Sequence, residues 1–65
     1  MSSEQSLERA EQLLAQLETT RARLEATDEP EQAIEVLQEL ADIAKQIEVE
    51  LQKARQAAEA DAADA

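Results

Sequence analysis

The sequence predicts an all-α fold: a two-helix antiparallel hairpin of coiled-coil type that packs with further helices into a bundle. Three observations carry this. Apolar residues recur at alternating three- and four-residue steps along both halves of the 65-residue chain. Glycine is absent, and alanine supplies 14 of the 28 hydrophobic residues, a composition that favours helix. The one proline, Pro30, lies in Ala26-Thr27-Asp28-Glu29-Pro30-Glu31, the single interruption of that composition.

The first helix is placed at about residues 3–26. Ser2 or Ser3 is its cap, and Ser2 has Gln5 at the spacing of a capping box. Leu7, Ala10, Leu14, Leu17, Arg21 and Leu24 form a narrow seam, with Leu13 beside it. Arg21, at the centre of that seam, has two readings. Its guanidinium could meet a carboxylate across an interface and select a partner. Alternatively its stem packs while its charged end stays in water. The second is favoured, because Glu18 and Glu25 stand one helical turn away.

Residues 27–29 form the turn, and the second helix is placed at about 30–58. Proline disfavours the α region for the residue before it, yet is tolerated in a first helical turn. Asp28 and Glu31 have the spacing of a capping box. Ala33, Leu37, Leu40, Ala44, Ile47, Leu51, Ala54 and Ala58 repeat the alternation. Ile34 and Ala41 widen the stripe on one flank, Val36 and Ile43 on the other. The resulting face covers about half the helix, too wide for one partner helix. Helix two should therefore cover helix one with part of this face and something else with the rest. The acidic tail, residues 59–65, puts carboxylates where a helix C-terminus prefers cations and is expected to fray.

Composition excludes whole classes of function. Without histidine or cysteine there is no nucleophile–base pair and no zinc site. Without glycine there is no phosphate-cradling loop. No catalytic, cofactor-binding or metal-ligating residue is assigned, and no cofactor is expected. Glu31, Glu35, Glu39 and Asp42 form an acidic ridge, read as a solvated face since a straight helix offers carboxylates in a row rather than around a cavity. Direct nucleic-acid binding is not expected from a net charge of −10 with no aromatic to stack on a base. No apolar run approaches the roughly 20 residues that cross a bilayer. Nor does Met1-Ser2-Ser3-Glu4-Gln5 have the basic start of a secretory signal, so a cytoplasmic location is expected. The acidity would also suit a salt-rich interior, where self-repulsion is screened.

The thirteen large aliphatic residues (eight Leu, three Ile, two Val) are few for a self-sufficient core, so an oligomer is expected. The partner is either a large subunit or a second copy of the chain. Around the turn, Leu14-Ala15-Gln16-Leu17-Glu18 and Arg23-Leu24-Glu25-Ala26-Thr27-Asp28-Glu29-Pro30 resemble the small subunit of exodeoxyribonuclease VII. With one residue deleted after Pro30, Gln32-Ala33-Ile34, Leu37, Ala44-Lys45-Gln46, Leu51-Gln52 and Ala54 follow the same family's second helix. The resemblance covers most of residues 10–56. It implies a non-catalytic subunit of a complex that degrades single-stranded DNA, bound to helices of a large subunit that holds the nuclease site.

The expected interface is Leu14, Leu17, Leu24, Ile34, Leu37, Leu40, Ile43, Ile47 and Leu51. Leu14, Leu17 and Leu24 should close the hairpin, and the second-helix residues should bury against helix one and the partner. Leu40→Glu or Ile43→Glu is expected to abolish assembly. The alternative is a self-assembling adaptor, a homodimeric four-helix bundle.

Overall fold

A computed structural model describes residues 2–64 as two α-helices, α1 (Ser3–Glu25) and α2 (Pro30–Asp64), linked by residues 26–29. The helices pack along their length as an antiparallel hairpin with extents of 54 × 14 × 12 Å. Its long dimension is the length of α2, about 52 Å at 1.5 Å per residue.

Local chemistry sets the start of α1. The Ser2 hydroxyl accepts the Gln5 N–H at 3.2 Å, and Gln5 Oε1 accepts the Ser2 N–H at 3.1 Å. This reciprocal pair is a capping box, and it satisfies two N–H groups that the first turn leaves without carbonyl partners.

The end of α1 uses no glycine, and no described residue has a positive φ. Instead the last turn tightens. The Ala26 N–H reaches the carbonyls of both Ala22 and Arg23 at 3.2 Å, and the Thr27 N–H reaches Leu24 at 3.1 Å. The Thr27 hydroxyl then donates to the Arg23 carbonyl at 2.7 Å, satisfying an acceptor the helix end would otherwise expose.

Pro30 opens α2, where its missing N–H costs nothing. The Glu29 carbonyl accepts the first helical bond, from the Ala33 N–H at 2.9 Å. The cap position is therefore Glu29, and the expected Asp28–Glu31 capping box is one residue out of register. At its other end α2 continues to Asp64, so residues 59–64 are helical rather than frayed; Ala65 lies outside the described residues. Two features account for this. Alanine-rich sequence has the highest helix propensity, and Arg55 Nε donates to Glu59 Oε1 at 3.2 Å.

The seam between the helices is a regular three–four alternation. From α1 it takes Ser6, Ala10, Leu13, Leu17, Thr20 and Leu24; from α2, Ala33, Val36, Leu40, Ile43, Ile47, Glu50 and Ala54. Leu13 is the only large side chain fully enclosed among the described residues, at 1% exposure. The seam thus differs from the expected one by a rotation of about one position on each helix. Two overlapping heptads are written into α1. The one containing Leu7, Leu14 and Arg21 would desolvate a guanidinium, a cost of several kcal/mol. The one containing Leu13 and Thr20 does not, and it is the one used.

Candidate protein interface

Packing along that seam leaves the hairpin with two unlike faces. One carries Arg9, Gln16 and Arg23 from α1 and Glu39, Gln46 and Lys53 from α2. Arg23 Nη1 donates to Glu39 Oε2 at 2.8 Å, an exposed ion pair that bridges the two helices. The grooves on this side are open, and Ile43 and the exposed Val49 line them beside the polar groups. One of them, about 550 Å³, lies between Gln16, Thr20, Arg23, Asp42 and Gln46.

The opposite face is apolar. It is the stripe one position round each helix from the seam: Leu7 and Leu14 on α1, Leu37, Ala44 and Leu51 on α2. Ile34 and Ala41 extend it on the outer side of α2. All are exposed, Leu14 and Leu37 at 51% and Ile34 at 56%. Glu4, Glu11, Glu18 and Glu25 recur every seven residues on α1 and border this stripe as an acidic ladder, all exposed.

Arg21 stands in the apolar stripe of α1, and both its neighbours in the ladder hold it. Nη2 lies 2.6 Å from Glu18 Oε1, Nη1 lies 2.6 Å from Glu25 Oε1, and Nε donates to Glu18 Oε2 at 3.0 Å. The hydrogen bonds from Arg21, and then its charge, hold the Glu18 carboxyl below the usual carboxylate range. The same pairs hold the Arg21 guanidinium above its ordinary value. Arg21 is therefore a surface residue tied within its own helix, with its end in water.

The expected interface residues separate into two sets. Leu17, Leu24, Leu40, Ile43 and Ile47 lie in the seam, half-buried. Leu14, Ile34, Leu37 and Leu51 point away from it, so Leu14 does not close the hairpin as expected. Thr20 and Glu50 are seam residues that sequence reasoning missed. The signal was present: stepping by three from Leu17, rather than by four, reaches Thr20 and avoids Arg21.

Among the described residues, no group of three or more acids is arranged to hold a metal ion. The ridge of Glu31, Glu35, Glu39 and Asp42 is exposed along one side of α2. No helix among the described residues is long and apolar enough to cross a membrane.

Fold and site together define a helical hairpin with one closed seam and one exposed, acid-edged apolar face. No family model, curated protein or solved structure matches the chain.

Proposed function

We propose that this chain is a non-catalytic accessory subunit of an exodeoxyribonuclease VII-like complex that degrades single-stranded DNA, acting by helix–helix assembly with a large subunit. The observation that carries the reading is the apolar face. Five large aliphatic residues, Leu7, Leu14, Ile34, Leu37 and Leu51, stand about half exposed along one side of a hairpin whose own core holds few. Such a stripe on a small helical protein is a surface for another helix. The resemblance of residues 10–56 to the small-subunit family supplies the class of partner.

In this reading the chain does no chemistry. It lends a large subunit apolar area and rigidity, and binding in turn stabilises the hairpin by mass action. The test is a tagged capture from the source lysate, with mass spectrometry and a single-stranded DNA degradation assay on the eluate. Recovery of a much larger chain with nuclease activity supports the reading. A stable dimer of the chain alone, with no nuclease activity, overturns it in favour of a self-assembling bundle.

A further inference from the structure

The apolar face is not symmetric in charge, and that asymmetry describes what covers it. Over α1 the floor of Leu7 and Leu14 is edged by Glu4, Glu11, Glu18 and Glu25, with Arg21 as the one cation among them. Over α2 the floor of Leu37, Ala44 and Leu51 continues outward into Ile34 and Ala41, so its first two turns carry no charge on that edge. Along α2 the small residue Ala44 stands between Leu37 and Leu51, a knob–hole alternation of the kind that a further helix packs against.

We infer that this face takes one helix of another chain, apolar along the strip that meets Leu14 and Leu37 and lysine- or arginine-bearing along the edge that passes over α1. The inference rests on reading the chain as an assembly subunit and specifies the chemistry of its partner. Charge decides between occupants. A two-fold pairing of two copies presents the same face twice, and brings together two chains of −10 with both acidic ladders at the joint. A basic-edged helix meets the ladder with opposite charge instead.

The test uses the full chain and two synthetic helices of about four heptads. Both carry leucine and isoleucine along one strip; one has lysine and arginine on a single edge, its twin has glutamate there. Binding is measured by calorimetry, with sedimentation of the chain alone alongside. The basic helix should bind at least about tenfold more tightly than its twin, and lose most of that preference in high salt. Glu11→Lys should narrow or reverse the preference. Leu37→Glu should abolish binding of both, with helicity unchanged because Leu37 lies outside the seam. Equal binding of the twins, binding of neither, or a dimer of the chain that Leu37→Glu converts to monomer each overturns the inference. Capture of a nuclease by Leu37→Glu as well as by wild type overturns this surface but leaves the subunit reading intact. Twin selectivity without nuclease capture supports the surface and removes the subunit reading.

Discussion

Leu13 and Glu50 line one groove at the seam from opposite helices: the most enclosed large side chain among the described residues, at 1% exposure, and a glutamate at 8%. Glu50 Oε2 has no hydrogen-bond partner, and among the described residues its ion pair is with Lys53 Nζ, at 3.7 Å on the next turn. A largely buried carboxylate with a single long ion pair repays little of its desolvation. Arg9, Lys45 and Lys53 line the groove beside it.

Glu50→Leu should therefore stabilise the isolated hairpin, by about 1–3 kcal/mol. For a domain of this size each kcal/mol raises the melting temperature by about 4–8 °C. Thermal unfolding followed by circular dichroism measures it. A lower melting temperature would mean that the carboxylate is held better than the geometry indicates.

The neighbours Leu13 and Leu14 should behave oppositely. Leu13→Ala leaves a cavity in the seam and should cost about 2–5 kcal/mol. Leu14→Ala, at 51% exposure, should change the stability of the free chain by less than about 0.5 kcal/mol. Chemical denaturation of the two variants side by side distinguishes this seam from one rotated by a position.

The cap at the other end of α1 is a separate prediction. Ser2→Ala removes the hydroxyl that accepts the Gln5 N–H and frees Gln5 Oε1 from a fixed partner arrangement. The expected loss is about 1 kcal/mol, with early amide exchange confined to the first turn of α1. Exchange rates by NMR check both.

Glu18 gives a pH dependence. Its carboxyl is held below the usual value by the hydrogen bonds and charge of Arg21. Its contribution to stability is thus present at neutral pH, above the unfolded carboxylate value of about 4.3, and is lost as pH falls through the lowered folded value. An NMR titration should place the Glu18 midpoint below that of an ordinary glutamate, and Arg21→Ala should return it to the normal range. Coincident midpoints in both proteins would show that the Arg21 pair does not persist in water.

Much of this hairpin could be read from residue spacing alone. Pro30 in a first turn, Ser2 with Gln5, and the long apolar repeats each report local chemistry, and local chemistry is what a sequence records directly. The choice of seam is different. Both helices carry two overlapping heptads that share Ala10, Leu17 and Leu24 on α1 and Ala33, Leu40, Ile47 and Ala54 on α2. Which flank closes depends on comparing a desolvated Arg21 with a desolvated Glu50, a competition between helices. Past residue 58 the helix rests on alanine content and the Arg55–Glu59 pair, local features that outweigh the unfavourable acids at its end. For the interface, the over-wide face of α2 was legible, whereas its continuation onto Leu7 and Leu14 required the seam to be known.

Leu40 and Ile43 lie half-buried between α1 and α2, so Leu40→Glu or Ile43→Glu disrupts the hairpin itself. Loss of assembly in either would report unfolding. Leu14→Glu and Leu37→Glu place the charge on the exposed face and leave the seam intact.

The most direct measurement is therefore a matched capture from the source lysate with tagged wild-type and Leu37→Glu chains, both shown to be helical, each eluate assayed for degradation of single-stranded DNA. The account predicts a larger chain and nuclease activity with wild type, and neither with Leu37→Glu. Wild-type chain recovered alone and inactive, or equal activity in both eluates, would contradict it.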